Sequence, residues 1–405
     1  MIYDYLIIGG GAAGYFSALH FAELKPGAKV LILEKGKQVL SKVRISGGGR
    51  CNVTHACFEP KALTKFYPRG ERELLGPFHR FMTGDMMAWL DERGVATKIE
   101  DDNRVFPVSD QSQSIIDCFE NERLRLNIEL QHDGMEELIE AEDYIEVRGQ
   151  KSTYRTKAVL VAAGSSPKTW KSLSDFGVRC IPPVPSLFTL NIKHPLLSDL
   201  PGTVFPEASV KVAGSKLKEF GPVLITHWGL SGPAVLRLSA WGAIELAAKQ
   251  HRFNLHVNWT STPEEDVFEE LKNARNSAEF QGKKIQSRPL FQLTKKFWNK
   301  LLEVNELHDV EWGNASNKQL KRLSLALTNQ VFEVNGKSTF KDEFVTAGGV
   351  DLKEINFKTM QHKHHPRVFF AGEVLNIDAI TGGFNFQAAW TTAWIAAEGA
   401  LLVAE

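Results

Sequence analysis

Long apolar runs are missing from this 405-residue chain. Nowhere do about 18 consecutive apolar residues occur, the length a membrane-crossing helix needs. A secretory leader is not expected either, because Tyr3 to Ile8 already reads as a strand and leaves no room for a charged segment followed by an apolar one. Cysteine is scarce. Cys51, Cys57, Cys118 and Cys180 form no Cys-x-x-Cys pair and no metal-ligand spacing, which argues against a bound metal and predicts reduced thiols in a soluble, cytoplasmic protein. Net charge is absent as well: 48 Lys and Arg stand against 48 Asp and Glu, so attraction to a nucleic acid or a membrane has to come from a local patch. What is present is ordinary for a globular enzyme, with 43% hydrophobic and 24% charged residues. The length allows two or three domains with cores of their own.

The stretch from Tyr3 to Glu34 organises the rest. Tyr5-Leu6-Ile7-Ile8 is an apolar run long enough for a buried strand, and Gly9-Gly10-Gly11-Ala12-Ala13-Gly14 follows with glycine at its first, third and sixth places. A helical stretch without internal Pro or Gly runs from Tyr15 to Leu24, and Pro26-Gly27 breaks it. Lys29 to Leu33 is a second apolar run, closed by Glu34, 20 residues after Gly14. Strand, glycine turn, helix, strand and acid are the context a dinucleotide fingerprint requires. Gly9 suits a tight turn, Gly11 the approach of the backbone to a pyrophosphate, and Gly14 close helix–strand packing. Free N–H groups around Ala12 and Ala13 would face the pyrophosphate at the helix N-terminus. Glu34 would accept hydrogen bonds from an adenosine ribose, with Lys35 beside it.

Just beyond, Leu40 to Thr54 carries Gly47-Gly48-Gly49 between Arg44 and Arg50, which predicts a loop whose backbone comes near something flat or anionic. FAD is long enough to need such a second contact. Arg44, Ser46, Gly49, Arg50, Cys51 and Asn52 are therefore candidate cofactor contacts, with guanidinium donors suited to phosphate or flavin carbonyl oxygens. Cys51 reads as a small packing residue rather than a nucleophile. Residues 60–100 read as helical from the spacing of Phe78, Phe81, Met82, Met86, Trp89 and Leu90, a core stripe. A helix is predicted from about Gln111 to Glu122, and strands around an acidic hairpin from Leu126 to Val147. Ala158 to Val161 is another apolar strand, ending in Ala162-Ala163-Gly164, where Ala163 and Gly164 are expected near the cofactor.

Pro182-Pro183-Val184-Pro185 excludes helix and marks a crossing between domains. The expected division is a first FAD-binding part over 1–185, an inserted β-rich domain over 186–260, a small helical subdomain over 261–330 and a return to the FAD domain over 331–405. Short alternating runs between Phe188 and Val257 support the strand-rich insertion. Within the helical part, Gln281 to Lys300 holds Lys283, Lys284, Arg288, Lys295, Lys296 and Lys300 with no acid, interleaved with Phe291, Phe297 and Trp298. Two readings stand: a nucleic-acid surface, or a solvated helix face balanced by the acids from Glu264 to Glu270. Near the end, the apolar run Val368 to Phe370 leads to Gly372-Glu373. Gly382-Gly383-Phe384-Asn385 then opens a final helix running to about Val403. A helix N-terminus there could face the flavin edge that carries negative charge on reduction. The fold class that follows is α/β: a Rossmann-like FAD-binding domain of the two-dinucleotide-domain flavoprotein type, with both insertions inside it.

These motifs resemble a family of bacterial flavoproteins, the aminoacetone-oxidase-like and bile-acid-inducible-oxidoreductase-like FAD-dependent proteins. The resemblance rests on Ile8 to Gly14, Lys42 to Thr54, Arg104 to Pro107, Thr226-His227-Trp228-Gly229-Leu230-Ser231-Gly232-Pro233, Thr346 to Val350 and Ala371 to Gln387. Two departures stand out. Ala162-Ala163-Gly164-Ser165-Ser166-Pro167 replaces the family's usual Ala-Thr-Gly-Gly and its longer loop, and Asn376 stands where Asp is common. The resemblance implies reduction of activated C=C bonds, in steroid-like enones or in uridine of ribosomal RNA.

Such a reaction needs a hydride from reduced flavin and an acid to protonate the other carbon. His227 is the leading catalytic candidate, against the alternative of a structural histidine at a turn. Arg50 and Asn52 are candidates for orienting substrate or flavin. No second glycine fingerprint appears, so NADH or NADPH would bind transiently at the flavin face. Two rivals remain on the sequence alone: an amine or aminoketone oxidase, and a non-catalytic RNA-binding flavoprotein.

Overall fold

A computed structural model describes residues 1–338 and 345–404. The chain divides into two compact units, Met1–Pro185 with Lys341–Glu405, and Ser186–Phe340.

The first unit is built on a parallel sheet. Its central strand, Ile2–Ile8, lies between Val30–Leu33 on one side and Thr153–Val161 on the other. Val368–Phe370 extends the sheet beyond Thr153–Val161, and Glu129–Gln131 extends it beyond Val30–Leu33. Register decides what these strands do. Ile8 pairs with Leu33 and with Val161, and Val161 pairs with Phe370. Four chain segments therefore leave the sheet at the same carboxyl edge: Gly9–Gly11, Glu34, Ala162–Gly164 and Ala371–Glu373. Ligands of open parallel sheets bind at that edge. The strands are apolar on both faces because helices cover them, and Val30 to Leu33 are all buried.

The helix Ala12–Leu24 buries ten of its residues. It packs beside the C-terminal helix Phe384–Ala404, which is apolar almost all round. Phe16 sits in an aromatic cluster with Phe81, Trp89, Phe119, Trp390 and Trp394. Although that last helix is long, no helix among the described residues is long and apolar enough to cross a membrane.

The structure breaks the helical stretch expected over residues 60–100 into Pro60–Thr64, Leu75–Phe78 and Thr83–Asp91. Pro68 and Gly70, between the first two of these helices, interrupt the backbone although the apolar spacing continues. The proline run is not a bare linker either: Cys180–Ser186 is a strand paired with Val345–Val350. A two-stranded ribbon tolerates proline because each strand has an edge that needs no N–H donor.

The second unit is an antiparallel sheet. In order across it lie Gln330–Asn335, Arg252–Asn258, Val204–Val212, Lys218–Ile225, Gly229–Ser231, Thr189–Asn191 and Lys337–Ser338. The helices Glu264–Asn276, Lys295–Val304 and Asn317–Thr328 share one hydrophobic core with these strands. Val210, Val257, Phe297, Trp298, Leu323 and Phe332 all belong to it. Residues 261–330 are thus not a separate subdomain, because their apolar faces belong to the same core as the sheet. The strand Gln330–Asn335 likewise pairs with Arg252–Asn258 and lies in this unit, not in a returning FAD domain.

Candidate functional site

The glycine turn after Ile8 is shaped by proximity. A Cβ on Gly14 would lie 1.9 Å from the carbonyl oxygen of Gly9, so the helix can lie this close to the strand only with glycine there. Gly11 behaves differently: its φ of −90° suits any residue, and a Cβ there would meet nothing within 4 Å. Gly11 is the N-cap of the helix, yet no side chain caps the first turn and no acid lies in it. The orphan N–H groups of that turn are left for an anion.

Glu34 stands at this turn. Its carboxylate accepts from Gly10 N at 2.8 Å and from Gly36 N at 2.6 Å. A carboxylate has about four acceptor positions, so two backbone bonds hold it in place and leave capacity for ribose hydroxyls. Lys35 Nζ donates to Ser166 Oγ at 3.2 Å, tying the second strand's end to the one after Val161. Across the same edge, Lys42 pairs with Glu373 Oε2, while Glu373 Oε1 is buried with no partner. An unsatisfied buried carboxylate oxygen is costly in a protein interior and points to a missing donor.

A second cluster lies at the start of the C-terminal helix. Gly383 has φ of 93°, and a Cβ on it would lie 2.5 Å from Thr54 O. Asn52 locks this approach. With its amide oriented to suit its neighbours, it donates to Thr54 O at 2.9 Å and Val105 O at 3.3 Å and accepts from Gly383 N at 3.0 Å. Thr54 Oγ1 donates to buried Gln387 at 2.6 Å, and Trp390 Nε1 donates to Val53 O at 3.0 Å. Asn385 folds back on Ala379, accepting from its N at 3.0 Å and donating to its O at 3.2 Å. Phe384 stacks on Phe66 with centroids 4.2 Å apart, and His55 lies over its ring at 4.3 Å.

The chain matches the family described as HI0933-like protein Rossmann domain over residues 3–399. It belongs to the HI0933-like family. Among its relatives, the Ribosomal RNA dihydrouridine synthase of Escherichia coli K12 is 29% identical, the match covering 98% of this chain and 97% of that protein. The 3-dehydro-bile acid delta(4,6)-reductase of Clostridium scindens is 24% identical over 97% of this chain and 98% of that protein. Among solved structures, Escherichia coli quinol fumarate reductase FrdA superimposes with a TM-score of 0.50 at 11% identity, covering all of this chain and 70% of that one. That likeness is one of fold.

The residues of this HI0933-like protein fit FAD. An uncapped helix N-terminus, open space beside Gly11, Gly48 and Gly49, a backbone-held Glu34 and the unpartnered Glu373 oxygen are what a dinucleotide would fill or satisfy. It is an FAD-dependent oxidoreductase. Gly9, Gly11, Ala12, Ala13, Gly14, Glu34, Lys35, Ala163, Gly164, Gly372 and Glu373 come together at the sheet edge. Asn52, Gly382, Gly383, Phe384 and Asn385 form the second cluster.

The glycine loop connects them, but it starts as a helical turn rather than as free loop. From Ser41 the chain is helical, and it departs at Ser46, Gly47 and Gly48. Ser46 Oγ donates to Val43 O at 3.1 Å and Ser46 O accepts from Cys51 N at 3.0 Å. Arg44 donates to Gln113 at 2.7 Å, leaving its Nε buried without a partner. Burial pushes the Cys51 thiol up to about 12, so it stays protonated and packs rather than reacts.

Two candidate roles change. Arg50, expected to touch flavin or substrate, directs its charge to Glu100 at 2.6 Å and Asp110 at 3.4 Å and stacks on Phe106 at 3.9 Å. Asn52 gives its whole amide to backbone groups. His227 lies in the second unit, on the turn between Lys218–Ile225 and Gly229–Ser231, exposed and with no hydrogen bond among the described residues.

Sequence reasoning passed over Lys42 and His55, although both lie in or beside the Lys42–Thr54 motif. His55 Nδ1 lies 3.1 Å from Gly382 O, and burial lowers its pKa, keeping the ring neutral at pH 7. Among the described residues no group of three or more His, Cys, Asp or Glu could hold a metal ion.

Proposed function

We propose that this protein reduces a carbon–carbon double bond conjugated to a carbonyl, and that its substrate is the uracil ring of a uridine in RNA. The observation that carries this reading is the near end-to-end relationship, at 29% identity, to a protein named for forming dihydrouridine in ribosomal RNA. Bound FAD supplies the two-electron carrier that passes hydride to an electron-poor alkene.

The chain's own residues do the rest. The first helix N-terminus and Glu34 hold the dinucleotide, while Lys42 and Glu373 border its far wall. Asn52 acts as a positioning residue by holding Gly383, and Arg50 by bracing the glycine loop against Glu100 and Asp110. His227 is the proton donor for the second carbon. Its turn is held by Thr226, whose Oγ1 accepts from Trp228 N at 3.3 Å and Gly229 N at 3.2 Å. NADPH or NADH delivers electrons transiently, the basic segment 281–300 meets the RNA, and the protein works in the cytoplasm, where RNA is found.

The test is anaerobic. The flavoprotein is treated with NADPH and NADH in turn, then with a uridine-containing ribosomal RNA fragment, and the digested nucleosides are weighed by mass spectrometry. The expected result is nicotinamide-dependent bleaching of the flavin and a uridine heavier by two hydrogens. A second reading, a steroid-like enone substrate, is supported by the 24% relative named as a bile-acid reductase. Flavin reoxidation by such an enone, with RNA left unchanged, would establish it in place of the first. Bleaching by an amine, with oxygen as acceptor, would remove both.

A further inference from the structure

The basic segment that the flavin chemistry leaves unused borders a shallow, open surface cavity in the second unit. Lys283, Lys284, Gln286, Ser287, Lys295 and Asn299 line a volume of about 500 Å³. No carboxylate and no large apolar side chain lines it, which sets it apart from the mostly apolar pockets that hold small organic ligands.

Its charge is arranged against the local helix. Lys295–Val304 begins with Lys295 and Lys296, has no acid in its first turn, and is capped by Thr294, which accepts from Phe297 N at 3.4 Å. Lysines at a helix N-terminus oppose the dipole's positive end. The neighbouring helix Glu264–Asn276 follows the favourable rule, with Glu264, Glu265 and Asp266 in its first turn and Arg275 in its last. The unit thus places charge in the usual way at one helix and inverts it at the cavity.

Neutralisation is partial. Lys284 pairs with Asp309 at 2.8 Å, Lys300 with Glu303 at 3.2 Å, and Arg288 with Glu279. Lys283, Lys295 and Lys296 have no ion-pair partner among the described residues. Asn299 adds a buried Oδ1 with no hydrogen-bond partner; turned over, the same amide presents N–H groups.

The cavity wall is held firmly. Lys283 O accepts from Trp312 N at 3.0 Å, and Ile285 N donates to Val310 O at 2.9 Å. Trp298, fully buried, donates from Nε1 to Ile285 O at 3.0 Å. Exposed lysines therefore project from a backbone fixed on both sides to the core. Ammonium groups on a fixed scaffold, beside the first turn of a helix, are suited to phosphate oxygens.

We propose that this cavity is the docking site for the sugar-phosphate backbone of an RNA substrate, with Lys283 and Lys295 of its lining, and Lys296 next to Lys295 in the chain, contacting phosphates. It rests on the RNA reading above and adds where the nucleic acid is held. Phosphate contacts position without reading sequence, so the cavity anchors the strand and leaves base choice to the flavin site.

The test uses the full flavin-loaded protein and a fluorescent single-stranded, uridine-rich RNA of about 20 nucleotides, titrated at several salt concentrations. Each lost phosphate contact lowers the salt slope of single-strand binding by about 0.7. The triple variant Lys283→Gln, Lys295→Gln, Lys296→Gln should lower that slope by about 2 and weaken binding by on the order of tenfold. The control triple Lys211→Gln, Lys216→Gln, Lys218→Gln removes equal charge from exposed positions on and near the strands Val204–Val212 and Lys218–Ile225. It should bind like the parent. Flavin content and melting temperature, measured on both, confirm folding.

Equal weakening by the two triples, or none by the cavity triple, would overturn the site while leaving uridine reduction standing. RNA bound through the cavity but never reduced would keep the site and remove the substrate reading. No RNA binding by the parent protein at low salt would overturn both.

Discussion

Gly11→Ala and Gly14→Ala differ by one turn of helix and should fail in opposite ways. At Gly14 the added methyl lies 1.9 Å from Gly9 O, whereas ordinary contact begins at 3.4 Å. The helix Ala12–Leu24 must retreat from the strand Ile2–Ile8 by about 1.5 Å, and Ile7 Cγ2, 3.0 Å from the new carbon, blocks any sideways escape. Overpacking of this kind costs about 1–3 kcal/mol or more. At roughly 2–4 °C per kcal/mol for a large domain, the flavin-free protein should melt several degrees lower.

At Gly11 the methyl meets nothing. Alanine is a poorer N-cap than glycine by a few tenths of a kcal/mol, and the reduced freedom of the unfolded chain offsets about as much. The flavin-free Gly11→Ala protein should therefore melt within about 3 °C of the parent. Its methyl instead occupies the space that the pyrophosphate needs, and FAD affinity should fall on the order of 100-fold, about 2.7 kcal/mol. The assay has two parts: calorimetric melting of flavin-free protein, and titration with FAD followed by quenching of its fluorescence. Undiminished FAD binding by Gly11→Ala would refute the assignment of this turn as the pyrophosphate cradle. A large loss of melting temperature in that variant would refute the claim that the space is open.

Asn52 offers a sharper chemical test than its burial alone. Asn52→Ala leaves Gly383 N and Thr54 O short of a partner, while Val105 O keeps its bond from Val53 N, and should cost about 2–6 kcal/mol in urea unfolding, at about 1–3 per unsatisfied group. Asn52→Asp sets a carboxylate oxygen against two carbonyl oxygens and should be worse; an aspartate variant as stable as the parent would refute this set of hydrogen bonds. Stability should also depend on pH through four histidines. Burial lowers the pKa of His55, His194, His251 and His362 below the ordinary 6.5. The unfolded chain then binds more protons than the folded one as pH falls through that value, so their contribution is full above 6.5 and shrinks below it. Denaturant midpoints should drop from pH 7.5 to about 5.5, and His362→Gln should flatten the slope. Midpoints that rise over that range would contradict the burial assignment.

Much of the candidate site's backbone could be read from residue order. Glycines spaced for a turn, an acid at the right remove and apolar runs on both sides are local signals, and Gly9, Gly14 and Glu34 lie where those signals place them. The terminal Gly372-Glu373 and Gly382-Gly383 pairs were recognisable for the same reason. Pairings across the chain were not. Lys42 meets Glu373 across 331 positions, and Arg69 forms a bidentate pair with fully buried Asp378 across 309. Nothing near either residue announces its partner. Arg50 misled because its type and its loop suited a ligand, while its real partners, Glu100 and Asp110, lie 50 and 60 positions further on in irregular backbone. Helical spacing misled over residues 60–100 because apolar periodicity survives where proline and glycine have already broken the backbone.

The first unit is written in two pieces, and its last helix, Phe384–Ala404, lies against its first, Ala12–Leu24. During synthesis the ribosome must finish residues 186–340 before that partner begins to emerge, a delay on the order of 10–30 s at typical elongation rates. Throughout it Phe16 lacks the cover of Trp390 and Trp394, and Asn52 lacks Gly383. The nascent flavin domain is thus an open-faced sheet in search of its final helix. Chaperones that recognise bare aromatic surface have their opportunity in this interval, and cofactor loading belongs after the last helix has docked.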